Sequence, residues 1–261
     1  MTEINREIRP EDSLDPLKDF YHTIVDEDSA ERQEILSHHE VALMIIDLQY
    51  LDAAKGFGVF KNITSSGIPI EQQEYYFDTL NGYVIPNVQR LLNTFRKKKM
   101  EIIHTRIQSL TRDGRDRSNG HKRLGLLAAP GSKEADFLEE VAPMEDEIII
   151  NKTASGVFSS TNLNYVLQNL NINELVVAGV YTNECVETTI RHACDLGYLV
   201  TLVEDACTTV TPELHQGTIN SLKDRYASIL TTHDIEKRFA EVNEHIIHPD
   251  VISIRRASEG H

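Results

Sequence analysis

Two stretches of this chain, Ala42-Leu-Met-Ile-Ile46 and Leu175-Val-Val-Ala178, are apolar at every position instead of at every second one. Successive side chains of a strand point to opposite faces, so a strand without alternation has two dry faces and needs cover on both. Runs rich in β-branched residues recur along the chain, separated by longer segments of helical periodicity. That is the pattern of βα units building a parallel sheet. The expected fold class is α/β, with six strands at Val41–Leu48, Glu101–Arg106, Glu147–Asn151, Glu174–Val180, Leu199–Glu204 and Ala227–Thr231, and helices on both faces. Helices are expected at Glu71–Lys99, interrupted near Pro86, and at Lys133–Val141, Thr161–Leu170, Asn183–Leu196 and Pro212–Tyr226. Thr161 and Thr211 supply hydroxyls that cap helix starts, and Pro212 suits a first turn.

A chain of 261 residues accommodates one large domain, expected over residues 40–261, preceded by an acidic arm over residues 1–39. Residues 1–40 carry 12 acidic and 4 basic side chains, which is −8 of the total −15. That balance argues against nucleic acid as a partner, because binding there depends on neutralising phosphates. Within the arm, Leu14, Leu17, Phe20 or Tyr21 and Val25 fall at helical spacing and form one apolar stripe. The stripe offers a surface to this domain or to a second copy. No apolar run approaches a membrane span, and Met1 to Pro10 carry no signal-peptide core. The cysteines, Cys185, Cys194 and Cys207, are too few and too clustered for a disulfide framework. A cytoplasmic location is the expectation.

Ligands of open parallel sheets gather at the carboxyl ends of the strands. Asp47 lies near the end of the first expected strand, where a carboxylate is costly unless paired. Lys152 follows the third strand and is the natural counter-charge. Cys185 sits where the fourth strand turns into a helix, and both the helix start and a nearby ammonium favour thiolate. Asp47 can take the thiol proton and return it to a leaving amine. A lone cysteine at a helix start is more often buried and inert, so the assignment rests on all three residues together. A dyad with His192 is excluded, since seven residues of helix separate the pair by roughly 10 Å. Cys194 points to the opposite face and reads as a core residue. Gly56-Phe-Gly58 fails as a dinucleotide fingerprint because Lys61 stands where its third glycine belongs. Long connections at 56–70 and 111–125 are candidates for site-forming loops, the first for a lid.

Three motifs, Ile45-Ile-Asp47-Leu-Gln49, Asn151-Lys152-Thr-Ala-Ser-Gly-Val-Phe158 and Ala178-Gly-Val-Tyr-Thr-Asn-Glu-Cys185-Val, together resemble the isochorismatase-like cysteine hydrolases. The resemblance spans roughly residues 41–232 and covers nicotinamidase, N-carbamoylsarcosine amidase, ureidoacrylate amidohydrolase and isochorismatase. It implies a doubly wound sheet of order 3-2-1-4-5-6 and a catalytic triad of Asp47, Lys152 and Cys185. It further implies a cis peptide between Val180 and Tyr181 and an oxyanion hole built from the Tyr181 and Cys185 amides. A homo-oligomer is implied as well, and no cofactor.

Departures from the family narrow the substrate. Nicotinamidases add a metal site from an Asp-x-His element after strand one and a histidine after strand two. Here the first region reads Tyr50-Leu-Asp52-Ala-Ala-Lys, without histidine, and His104 is expected to line the site or end its strand. No metal is therefore expected. The thiol favours an amide or ureido substrate over a vinyl ether, though a vinyl-ether hydrolase and a non-catalytic binding member are the alternatives. Gln49 and Phe158, within the motifs, are candidate substrate-binding residues. So is Arg106, whose guanidinium, like those of Arg115 and Arg117, suits a substrate carboxylate.

Overall fold

The computed structural model describes residues 29–62 and 66–240. Its six strands are β1 (Val41–Ile46), β2 (Glu101–Ile107), β3 (Ile148–Lys152), β4 (Glu174–Val180), β5 (Leu199–Thr208) and β6 (Ser228–Leu230). All neighbours pair in parallel, in the order β3-β2-β1-β4-β5-β6. The expected doubly wound arrangement is therefore present. Every residue of β1 and of β4 is buried, which is why neither run alternates.

The helices are α1 (Ala30–Ser37), α2 (Tyr50–Ala53), α3 (Ile70–Thr79), α4 (Ile85–Lys98), α5 (Asn119–Arg123), α6 (Val157–Ser160), α7 (Leu163–Asn169), α8 (Glu187–Asp195), α9 (Pro212–Leu222) and α10 (Thr232–Ala240). Helix α4 buries Val88, Leu91, Leu92 and Phe95, at three- and four-residue spacing, against β1, β2 and β5, with α10 packed beside it. On the opposite face α8 covers β5 between α6 and α9. None of the helices among the described residues is long and apolar enough to cross a membrane.

Several boundaries differ from the sequence expectation for identifiable reasons. The interruption near Pro86 is a π-helical turn, Leu80–Val84, that joins α3 to α4 and sets Pro86 in the first turn of α4. A proline there removes no hydrogen bond that the helix needs. The helix expected over Lys133–Val141 is instead two 3-10 turns flanking an extended centre. That centre pairs with the chain just after β1, through Tyr50 N–H to Asp136 O and Leu138 N–H to Leu48 O. Tertiary pairing there overrides helical periodicity.

The sheet's other end is closed by a buried ionic cluster. Arg32 of α1, entirely buried, donates to Glu174 of β4, to the Thr201 hydroxyl of β5 at 3.1 Å and to Val200 O at 3.2 Å. Arg238 of α10 adds two bonds to Glu174 at 2.7 and 2.8 Å. Ile35 and Leu36 of α1 join the core. The apolar stripe from Leu14 to Val25 lies outside the described residues.

Between β1 and β4 the chain's winding reverses, which opens a crevice at their carboxyl ends. The two strands approach closely there. A Cβ on Gly179, whose φ is +124°, would lie 2.1 Å from Ile46 O. Only glycine fits between the residues that lead into Asp47 and Cys185.

Candidate active site

Asp47 follows β1 with φ 52°, a left-handed conformation that aspartate tolerates better than most residues. Its N–H donates to Thr105 O at 3.1 Å and its carbonyl accepts Gln49 N–H at 2.8 Å, so the turn is held on both sides. The Thr105 hydroxyl reaches Asp47 Oδ1 at 3.2 Å. Lys152 ends β3, two strands away, and extends past the end of β2. Its Nζ lies 2.8 Å from Asp47 Oδ2, 3.3 Å from Cys185 Sγ and 3.1 Å from Ala154 O. Cys185 occupies a π-helical turn, Thr182–Val186, that follows the cis Val180–Tyr181 peptide and leads into α8. All three side chains are buried. The structure thus brings together residues 47, 152 and 185 from three separate connections.

Burial alone would make Lys152 give up its proton, but the Asp47 carboxylate, with the thiol beside it, holds the ammonium above its ordinary range. For Cys185 the balance falls the other way. Burial pushes the thiol up, and Asp47 adds to that push against the opposing pull of Lys152. Burial thus opposes the thiolate that the helix start and the ammonium favour.

The candidate substrate-binding residues have partners within the chain. Gln49 is fully buried, and its amide bridges Ile107 O (2.9 Å), Glu134 O (2.8 Å) and Ile107 N–H (2.5 Å), tying the ends of β1 and β2 to the 3-10 segment. Arg106 donates to Asn151 Oδ1 at 2.7 Å and Ala135 O at 2.9 Å and covers the Phe137 ring at 5.1 Å. Arg115 pairs with Asp113 at the surface, and Arg117 bonds Gly114 O at 2.9 Å and Leu126 O. Phe158 stacks on Tyr198, which precedes β5 at the amino end of that strand. His104 is buried against Glu147 at 2.9 Å, and Cys194, expected in the core, is partly buried.

Two groups not singled out as site residues from sequence stand beside the cluster. Asp52 of α2 is 5% exposed, and its Oδ2 has no hydrogen-bond partner among the described residues. Burial first and Asp47 second hold its carboxyl well above the usual carboxylate range. His121 of α5 is buried with Nδ1 unpartnered, and burial, then Lys152, lowers its pKa. The Ser118 hydroxyl caps α5, and Ser118 N–H bonds Thr153 O, which fixes the helix next to Lys152. Asp52 was legible as an acid in an otherwise apolar turn five residues after Asp47. His121 carried no such signal, because its approach depends on the fold of the loop before it.

The model of the isochorismatase domain matches residues 70–234. The isochorismatase family protein YddQ of Bacillus subtilis is 31% identical over 156 residues, covering 56% of this chain and 81% of that protein. Ureidoacrylate amidohydrolase RutB of Acinetobacter baylyi is 25% identical, covering 78% of this chain and 85% of its own. Among solved structures, an isochorismatase family protein of Desulfovibrio vulgaris superposes with a TM-score of 0.64 over 77% of this chain and 99% of that one, at 23% identity. N-carbamoylsarcosine amidase of Thermoplasma acidophilum does so with a TM-score of 0.54 over 74% and 96%, at 18% identity. With two buried charges and a thiol gathered at the switch point of this sheet, the chain belongs to the isochorismatase family of hydrolases.

Proposed function

We propose that this protein hydrolyses an amide or ureido C–N bond of a small molecule through a thioester on Cys185. The observation that carries the reading is the buried contact of Lys152 Nζ with both Asp47 Oδ2 (2.8 Å) and Cys185 Sγ (3.3 Å). In the proposed reaction Asp47 takes the thiol proton as sulfur attacks the carbonyl carbon, and Lys152 stabilises the sulfur's developing charge. The amides of Tyr181 and Cys185 are the proposed donors to the tetrahedral oxyanion. Collapse breaks the C–N bond, the leaving nitrogen takes the proton from Asp47, and an acyl thioester remains. Water then gives a proton to Asp47 as it adds to the thioester, and collapse breaks the C–S bond to release the acid and the Cys185 thiolate, which takes that proton back from Asp47.

Relatives named as ureidoacrylate amidohydrolase and N-carbamoylsarcosine amidase support a C–N substrate. The test is a screen of ureido acids, carbamoyl amino acids and simple carboxamides for release of ammonia or amine, with Cys185→Ser as the control. Turnover that disappears in the variant is the expected result. A silent wild-type protein across the panel would favour a non-catalytic member, and one relative, from Arabidopsis thaliana, is named a probable inactive nicotinamidase.

A further inference from the structure

The carboxyl group of Asp52 has no part in the reaction above, yet it is buried beside the same three residues with Oδ2 unpartnered. Its backbone is fixed: the Tyr76 and Tyr181 hydroxyls donate to Asp52 O at 2.8 and 2.9 Å. The rings of Phe60, Tyr76 and Tyr181 form a continuous wall, with the Tyr76 centroid 5.2 Å from each of the other two. An apolar wall does not satisfy a carboxyl group, and none of the described residues supplies the missing partner, which leaves the place open to a bound molecule. Burial first and the Asp47 charge second raise the Asp52 carboxyl well above the usual carboxylate range, with Lys152 opposing them.

We infer that Asp52 recognises the amide edge of the substrate, pairing its carboxyl with the N–H and C=O of a primary amide or ureido group. A neutral carboxyl sets an O–H donor beside a C=O acceptor. An amide sets the complementary acceptor and donor side by side, so the two meet edge to edge through two hydrogen bonds. An ester offers no N–H and leaves the acid's carbonyl oxygen unpaired, which a buried site penalises. This specificity role rests on the amidohydrolase reading and deepens it.

Two thiol reagents test it on the full chain. Iodoacetamide and methyl iodoacetate carry the same α-carbonyl and leaving group and differ in having or lacking an amide N–H. The ratio of their alkylation rates at Cys185, followed by mass mapping, is expected to fall about tenfold in Asp52→Leu, as the loss of one or two neutral hydrogen bonds implies. In Asp52→Asn, which keeps a donor beside an acceptor, the ratio should stay within about threefold of wild type. Asp52→Ala gives the same reading as Leu where the larger side chain prevents folding. An unchanged ratio in both apolar variants overturns the inference. A parallel fall of both rates, with the ratio intact, overturns it too, since Asp52 would then act on the thiol or the fold. A ratio that falls in a protein with no turnover on the screening panel would sink the hydrolase reading alone and leave amide recognition standing.

Discussion

Asp47 combines a left-handed backbone, a buried carboxylate and an ammonium at 2.8 Å. Removing its charge while keeping its shape separates its proposed role as base from its role in packing. In the proposed reaction the Cys185 thiol gives its proton to Asp47. Asp47→Asn is expected to slow turnover of the substrate found by screening by about 10²-fold, the lower range for loss of a positioned general base. Rates within a few-fold of wild type would show that the thiol ionises without Asp47. The three charged and sulfur-bearing residues were legible in sequence because each sits at or just beyond an apolar run. Nothing in the sequence alone gave the push of burial on the Cys185 thiol, which depends on how completely the fold excludes water. The employment of Gln49 and Arg106 was equally hidden, since their partners Glu134 and Ala135 lie in a segment whose periodicity reads as helix.

At the scale of elements, the site depends on the close approach of β1 and β4 and on the order of the loop before α5. A methyl group on Gly179 would meet the Ile46 carbonyl, so Gly179→Ala must push the two strands apart where Asp47 and the Cys185 turn begin. The expected cost is about 1–3 kcal/mol, the range for overpacking a tight core, measured by urea unfolding and accompanied by slower Cys185 alkylation. Unchanged stability would mean that the strands yield without strain. In the loop, Asp116 accepts Leu110 N–H at 2.7 Å, Thr111 N–H at 3.0 Å and the Thr111 hydroxyl. Those bonds outweigh the cost of desolvation and hold its carboxyl at about 2. The sign follows directly: the loop's stabilisation is complete above the ordinary aspartate range near 4 and is lost as pH falls through about 2. Asp116→Ala is expected to speed amide exchange at Leu110 and Thr111 at neutral pH, and exchange rates equal to wild type would remove Asp116 from that role. The strands were readable because both faces are apolar; the 3-10 segment was not, because its conformation is set by pairing with residues some ninety positions earlier in the chain.

For the whole molecule, Glu174 is the tie between the first and last described helices. Arg32 and Arg238 hold its carboxyl below the ordinary glutamate range despite complete burial. Glu174→Gln removes the carboxylate that Arg32 and Arg238 share in a buried cluster, and a loss of about 3–5 kcal/mol is expected, read from the urea midpoint at unchanged slope. Since the folded-state pKa is depressed, wild-type stability from this cluster is present above the unfolded value near 4.3 and falls as pH drops through the lower folded value. The variant should lack that component of acid sensitivity. The cluster was invisible in sequence, because Arg32, Glu174 and Arg238 are far apart along the chain and each reads alone as a surface charge. The sheet order, by contrast, was implied by the family resemblance that three short motifs carry.

The most direct test of the proposed chemistry is mass spectrometry of rapidly quenched enzyme during turnover of the amide or ureido substrate found by screening. An increment equal to the acyl group, mapped to Cys185 and absent in Cys185→Ala, is the predicted result. Undiminished turnover in Cys185→Ala would contradict it.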